Sequence, residues 1–171
     1  GPAQTVGPVF AEERLGLSPS AIGLAVTFLA VGEVLILIVA GRAADRYGRR
    51  AVLAPSLAIA AAATVIVGIL DAATAWAYFP AMVAIGAGIA AVGAASGGLM
   101  ADAIPREGSG AAVGVNQMAG DLGYLLSPIT VGTLAERQSF SLAYAVAALP
   151  AAGVFVATLT LPRHTAAARR A

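Results

Sequence analysis

The sequence predicts an all-α membrane protein, and two observations support this fold class. Hydrophobic residues make up 59% of its 171 residues and charged residues 11%, with a mean hydropathy of +0.86. A soluble domain cannot cover so much apolar surface with so few charged groups. Uncharged runs of about twenty residues, the length at which a helix crosses about 30 Å of hydrocarbon, recur along the chain. We therefore expect the lipid bilayer to surround most of the molecule.

Five runs are long enough to be complete spans, and short connections between them predict antiparallel neighbours. The predicted spans cover residues 20–41, 51–70, 75–101, 110–135 and 140–162. The first contains one charge, Glu33, whose insertion cost of about +3 kcal/mol is outweighed by about −5 kcal/mol from its Leu, Ile, Val and Phe side chains. Residues 1–10 are apolar but too few to span, and we expect them to be the remnant of a sixth helix in a single transmembrane domain.

The arginines predict the orientation in the membrane, because loops rich in Arg remain on the cytoplasmic side. Eight lie in alternate loops or the carboxy-terminal tail: Arg42, Arg46, Arg49, Arg50, Arg106, Arg163, Arg169 and Arg170. The opposite loops hold only Arg14 and Arg137. We expect an integral protein of a bacterial cytoplasmic (plasma) membrane with a cytoplasmic carboxy terminus. The bias towards Ala and Arg suggests only a GC-rich genome.

Composition also excludes several classes of function. The net charge is +1 and the basic residues sit in short loops, so we expect no nucleic-acid partner. There is no Lys, no Cys and a single histidine, His164. Schiff-base lysines, histidine-centred catalytic sites, disulfides and thiolate metal sites are therefore excluded within this chain. We expect no enzyme activity, no cofactor and no metal.

The most specific pattern lies between the first two predicted spans. Residues 41–50 are GRAADRYGRR, and this segment resembles the loop signature of the major facilitator superfamily, G-x-x-x-D-R-x-G-R-R, with every fixed position matched. The resemblance implies a loop that latches the cytoplasmic side of a carrier when it faces outward. The resemblance implies that Asp45 is the acid of the latch and that Arg46, Arg49 and Arg50 are its partners. It also implies that Gly41 allows a close approach of two helices and that Gly48 forms the turn. The alternative is a positively charged anchor with an incidental Asp.

The resemblance covers essentially the whole chain. The segments GLSPSAIGL, ADAIPREGSGAAVG and DLGYLLSPITVGTLAE look like the second half of drug-exporting members. First halves usually carry an Arg before a G-x-G in their fourth helix, whereas Met82 and Ile85 precede Gly86 and Gly88 here. The resemblance therefore implies helices seven to twelve, built from two inverted three-helix repeats of which the first is incomplete, and a missing amino-terminal half as partner.

Two acids lie inside predicted spans, where ionisable groups are functional candidates. Glu33 is flanked one turn away by Leu29, Ala30, Ile36 and Leu37. A lipid-facing carboxylate would have no partner, so we expect Glu33 to face protein or water, as a proton carrier or cation partner. The alternative is a protonated or Arg-paired structural Glu.

The second acid, Asp121, belongs to a polar stripe at helical spacing. The stripe comprises Gly114, Gln117, Asp121, Tyr124 and Pro128, with Asn116 beside it. We predict that it lines a cavity in which Asp121 exchanges a proton for a cationic substrate; the alternative is a polar contact between helices. Glycines at small-x-x-x-small spacings, including Gly86, Gly88, Gly114, Gly120 and Gly123, predict close helix packing.

The expected function is proton-coupled efflux of a small hydrophobic or cationic molecule by an antiporter that uses alternating access. A sugar or metabolite symporter of the same fold is the first alternative, but few amides and aromatics line the predicted pathway. A non-transporting membrane scaffold or receptor is the second, and it has no need of latch residues or buried acids.

Overall fold

Six α-helices and one 3-10 helix form the part of the chain that a computed structural model describes, which comprises residues 6–103, 109–137 and 139–160. The α-helices are α1 (Gly7–Glu13), α2 (Pro19–Tyr47), α3 (Arg49–Ile69), α4 (Tyr78–Ala103), α5 (Ser109–Arg137) and α6 (Phe140–Thr160), and the 3-10 helix is Ala72–Ala77. No strand occurs in these described residues. The all-α prediction is confirmed.

Three helical stretches within the described residues are long and apolar enough to cross a membrane. They are Pro19–Ala44, Ala51–Ile69 and Ala72–Ala94. Helix α5 has 29 residues, or about 44 Å at 1.5 Å per residue, but its amide and acidic residues make it less apolar. The apolar stretch of α6 whose side chains are described, Phe140–Val156, is shorter than a span. The spans predicted at 110–135 and 140–162 therefore stay predictions.

Helix α2 continues well beyond residue 41, where the sequence-based span ended. It begins at the N-cap Ser18, whose Oγ accepts a hydrogen bond of 3.3 Å from the Ala21 amide, and it ends only at Tyr47. Gly48 alone interrupts the helical backbone before α3, with φ 88° and ψ 152°. A residue with a Cβ would be strained at this φ. The segment predicted as a loop is thus two helix ends joined at one glycine.

Helix α4 lies at the centre of the bundle because glycines let its backbone touch both neighbours. A Cβ built on Gly86 would collide with the carbonyl oxygen of Leu29 in α2, and one on Gly32 would collide with that of Val83 in α4. On another face of α4, a Cβ on Gly88 would lie 2.5 Å from the Ala60 Cβ in α3. We call the α2–α4 contact the glycine seam. The predicted close packing is confirmed for Gly86 and Gly88.

The glycines of α5 behave differently. A Cβ built on Gly114, Gly120 or Gly123 would meet nothing within 4 Å in the described structure. Close packing within this chain was therefore the wrong explanation for these three residues. Their helix presents that side to the outside of the bundle, as described below.

Short helix α1 holds one end of the bundle together. Phe10 is fully buried, and its ring centroid lies 5.2 Å from that of Phe140, 5.1 Å from that of Tyr144 and 6.4 Å from that of Tyr78. Tyr78 Oη also donates a hydrogen bond of 3.4 Å to the Gly7 carbonyl, and Arg14 Nε one of 3.3 Å to the Leu70 carbonyl. The segment predicted as a mere remnant thus joins the ends of α3, α4 and α6.

The turn after α3 carries a capped 3-10 helix, at the end of the bundle where Phe10 is buried. Asp71 Oδ1 accepts hydrogen bonds from the Thr74 backbone N–H at 3.0 Å and from the Thr74 hydroxyl at 2.8 Å. These bonds favour the ionised form and lower the pKa of the Asp71 carboxyl below its ordinary value. Because the folded-state pKa is depressed, the cap contributes stability at neutral pH and loses it as pH falls through that value.

The glycine seam predicts a selective loss of stability. Gly86→Ala should lower the melting temperature of the purified protein in detergent micelles, because the new methyl group overlaps the Leu29 carbonyl and overpacking costs about 1–3 kcal/mol.

The matched control is Gly23→Ala in α2, where a Cβ meets nothing within 4 Å. This substitution should leave the melting temperature unchanged or raise it slightly, since Ala favours helix over Gly by about 1 kcal/mol. Equal melting temperatures for the two variants would show that the seam is not in close contact.

Candidate functional site

The polar stripe predicted on the fourth span lies along α5, and part of it is hydrogen-bonded. Gln117 Nε2 donates a hydrogen bond of 3.2 Å to Asp121 Oδ1, and both side chains are exposed. Tyr124 lies three residues further on and is 49% exposed. The side chain of Asn116 lies outside the described residues. The structure therefore joins Gln117 to Asp121 and places Tyr124 nearby, while the cavity-lining role stays a prediction.

The first part of α5 packs little against the rest of the described chain. From Gly110 to Leu126, every side chain that the structure describes is exposed. Buried positions appear only further on, where Val131 packs with Val6 and Ala143. A carboxylate on a membrane-spanning helix is costly against lipid, so on the prediction that α5 is a span we expect Asp121 to face water or protein.

A bend-forming sequence separates the exposed part of α5 from its packed end. Pro128 has no N–H, so the carbonyl of Tyr124 loses its usual partner within the helix. Thr130 Oγ1 donates to the Leu126 carbonyl at 3.0 Å, and Thr133 Oγ1 donates to the Ile129 carbonyl at 2.6 Å. Such hydroxyl bonds to the preceding turn also favour bending. The freed Tyr124 carbonyl thus adds an acceptor one turn from Asp121.

Ser127 is a buried polar residue at this same point. It is only 9% exposed, and its Oγ has no hydrogen-bond partner in the described structure. An unpaired hydroxyl shielded from water destabilises the folded state by about 1–3 kcal/mol. Ser127 is therefore buried without a polar contact that would hold α5 to its neighbours.

The other predicted acid, Glu33, lies beside the glycine seam. Its neighbour Gly32 contacts α4, and one helical residue turns the chain by about 100°, so Glu33 falls on the flank of the seam. Leu29 is buried and Ile36 half-buried on the protein side, whereas Ala30 and Leu37 are exposed. Glu33 itself is half-buried, and the expectation that it faces protein or water stays a prediction.

Glu33 and Asp121 belong to different parts of the bundle. Helix α2 packs in the clusters centred on Leu29 and Ala40, and α5 packs in the cluster of Val131. Over the described ranges, these clusters share no buried residue. The two acids are therefore treated as separate candidates.

The predicted latch segment spans the α2–α3 junction. Gly48 provides its turn, as expected from the signature. Gly41 does not make the expected close approach within this chain, because a Cβ there would meet nothing within 4 Å. Arg46 places its guanidinium 5.4 Å from the centroid of the neighbouring Tyr47 ring. The side chains of Asp45, Arg49 and Arg50 lie outside the described residues, so the latch pairing stays a prediction.

Two features of the structure had no counterpart in the sequence-based predictions. Gly32 forms half of the glycine seam. The sequence could have indicated this, because Gly32 is a glycine within a run of bulky residues. Glu13 and Glu136 border a common cleft at the α1 end. Nothing in their sequence separation indicates that these two acids are neighbours in space.

Comparison with protein families gives one match that covers almost the whole chain. The family model described as Major Facilitator Superfamily matches residues 3–171. Comparison with curated proteins and with solved structures gives no match.

The unpaired hydroxyl of Ser127 leads to a prediction with a built-in contrast. Ser127→Ala should leave the melting temperature unchanged or raise it, because it removes a buried group that has no hydrogen bond. Ser141→Ala should lower the stability by about 1 kcal/mol, since the Ser141 hydroxyl donates a hydrogen bond of 2.7 Å to the Gly68 carbonyl. Thermal unfolding in micelles measures both, and a larger loss for Ser127→Ala would reveal a partner for that hydroxyl.

Proposed function

Because this chain belongs to the Major Facilitator Superfamily, we propose that it is the carboxy-terminal half of a carrier that exports a small hydrophobic or cationic molecule in exchange for protons. Family membership makes the chain part of an integral membrane transporter and agrees with the expectation that it is not an enzyme. The observation that carries the proposal is the hydrogen-bonded pair of Gln117 and Asp121 on the exposed face of α5.

The exposure of α5 supports the proposed missing half. We propose that α5 and α6 complete a set of five spans, and α5 is long enough for this at about 44 Å. Its exposed face combines Gln117, Asp121 and Tyr124 with glycines that have open space beside them. Small residues let another helix approach closely, and polar residues require a partner or water. The amino-terminal half of the carrier, with a water-filled pathway between the halves, would supply both.

Proton exchange at Asp121 would couple the export of the substrate to the uptake of protons. An ionised carboxylate between the halves attracts a cationic substrate and accepts the hydrogen bond that Gln117 Nε2 donates. Protonation removes the charge, weakens the hold on a cation and reduces the cost of closing the site away from water. Substrate and proton would therefore compete for one group, which is the requirement for exchange. Glu33 is the second candidate for this role, from the flank of the glycine seam.

The proposed latch would control which side of the membrane is open. Residues 41–50 join α2 to α3 at the end of the bundle opposite Phe10, and Gly48 lets the two helices meet with one intervening residue. We propose that Asp45 pairs with arginines here when the carrier faces outward. The arginine-rich side would be cytoplasmic, as would the carboxy terminus, in a bacterial plasma membrane.

A sugar or metabolite symporter of the same fold is the second candidate. The Gln117 amide and the Tyr124 ring on the exposed face are the observations that favour it, because amides and aromatics recognise neutral polar molecules. The direction of movement separates the candidates: a proton gradient drives efflux in the first and uptake in the second. A scaffold or receptor would move no substrate at all.

The proton-coupling proposal predicts a specific defect in the complete carrier. Asp121→Asn should abolish transport driven by an imposed proton gradient in reconstituted vesicles, because an amide keeps the shape of the side chain but cannot take up a proton. Exchange of a neutral substrate down its gradient should persist. Glu33→Gln is measured in parallel. If Asp121→Asn keeps full gradient-driven transport and Glu33→Gln loses it, the coupling role belongs to Glu33. If both variants keep full transport, the coupling role belongs to the amino-terminal half of the carrier.

The latch proposal predicts a different defect. Asp45→Asn should leave insertion and expression intact but slow transport, because loss of the charged partner destabilises the outward-facing state. Initial transport rates, normalised to the amount of protein in the membrane, test this. Wild-type rates would show that the segment is only a positively charged anchor.

A further inference from the structure

Helices α1, α5 and α6 border a cleft of about 480 Å³ at the aromatic end of the bundle. Its lining includes Val6, Val9 and Glu13 from the α1 side, Pro128 and Glu136 from α5, and Phe140 from α6. The volume lies within the range of about 300–1,000 Å³ typical of small-molecule sites. It is therefore large enough for an organic ligand of moderate size.

Charge and apolar surface are separated along this cleft. Glu13 is the last residue of α1, and Glu136 is the last but one of α5, so both carboxylates lie at helix ends and are exposed. Val6 is seven residues before Glu13, and Pro128 is eight before Glu136. At 1.5 Å per residue, these apolar residues lie about 10–12 Å along the helix axes from the carboxylates. The cleft thus has an acidic mouth and an apolar interior, and none of its lining residues is basic.

The cleft continues the polar stripe of α5. Asp121 and Tyr124 are followed at helical spacing by Pro128, which lines the cleft. A ligand that leaves the neighbourhood of Asp121 along this face would next meet Pro128 and then Glu136. On the orientation given by the arginines, that direction leads to the outer side of the membrane.

We propose that this cleft binds an amphipathic organic cation, with its charged group between Glu13 and Glu136 and its apolar body against Val6, Val9 and Pro128. Two carboxylates without a basic neighbour in the lining favour a cation over a neutral or anionic ligand. The ring of Phe140 adds an aromatic surface, which cations also favour. Cation binding here rests on the geometry of the cleft and does not depend on Asp121. The path that leads from Asp121 past Pro128 to the cleft rests on the proposed export function.

The test uses the complete carrier in detergent micelles with trimethyl(4-phenylbutyl)ammonium and its neutral carbon isostere as probes. Equilibrium dialysis should show binding of the cation and much weaker binding of the isostere. Glu13→Gln and Glu136→Gln should each weaken cation binding by about fivefold, the scale of an exposed charge interaction. The matched control is Glu12→Gln, which makes the same charge change one residue earlier, outside the lining of the cleft. A loss as large in the control would overturn the site.

A second variant fills the cleft without disturbing the fold. A Cβ on Gly132 meets nothing within 4 Å, so Gly132→Leu should place its side chain in the cleft and prevent binding while the melting temperature is unchanged. Because this chain has no cysteine, Gly132→Cys adds its first thiol, and the carrier without this substitution is the control for thiols outside the chain. The added thiol should react with a water-soluble maleimide, and the cation should protect it. An unreactive thiol would mean that another part of the protein covers the cleft, and unchanged binding by Gly132→Leu would place the ligand elsewhere; either result overturns the proposal.

Failure of this site can be distinguished from failure of the proposed export function. Asp121→Asn removes the cation site proposed on the stripe, and the binding that remains should still weaken about fivefold on Glu136→Gln. Remaining binding that Glu136→Gln does not weaken would assign the cation to another site and overturn the cleft. The source of the cation is tested separately, because a lipid headgroup that carries an amine presents the same kind of cationic group as a soluble organic cation. In nanodiscs, competition by phosphatidylethanolamine but not phosphatidylglycerol would identify a lipid as the source of the cation, and absence of competition would identify soluble cations.

Discussion

The close contact of two helix backbones at Gly32 and Gly86 is the constraint on which the rest of the bundle depends. Lipid tails are as apolar as the side chains they surround, so helices in a membrane gain little from apolar burial alone. Their association relies on van der Waals contact, which requires small residues where two backbones meet. The glycine seam places α4 against α2, and Gly88 places the same helix against α3. Helix α6 packs on α3 of this three-helix core, and α5 packs mainly on α6.

The packing is uneven, and this has consequences for function. At the aromatic end, Phe10 links α1 to α4 and α6, and Val131 attaches the end of α5 to α6. Towards the other end, the described side chains of α5 before Ser127 are exposed. The residues that bear the candidate chemistry therefore lie on the part of α5 with the fewest contacts inside this chain. On the proposal that α5 is a span, other protein or a water-filled pathway would lie beside this part of the helix.

The acids of the described chain are arranged at different depths along the molecule. Glu33 and Asp121 lie within helices. Glu33 belongs to a stretch long and apolar enough to cross a membrane, where a carboxylate is costly unless it meets water, a cation or a proton. Glu13 and Glu136 lie at helix ends, where the carboxylates remain exposed. The proposed path runs from Asp121 past Pro128 to this acidic mouth. A cation moving along it would exchange one carboxylate for another without losing electrostatic stabilisation entirely.

The sequence by itself determined the class of fold, the apolar character of α2, α3 and α4, and the stripe on which Gln117 and Asp121 meet. These features depend on composition and on the 3.6-residue period, which are local. It could not show that residues 41–47 continue α2, because short polar segments at a helix end look like loops. Only the tertiary structure decided which glycines meet a neighbour, since Gly86 and Gly114 differ in what faces them and not in their own chemistry. It alone brought Glu13 and Glu136 to one cleft, because contacts between residues more than a hundred positions apart are set by how the helices pack.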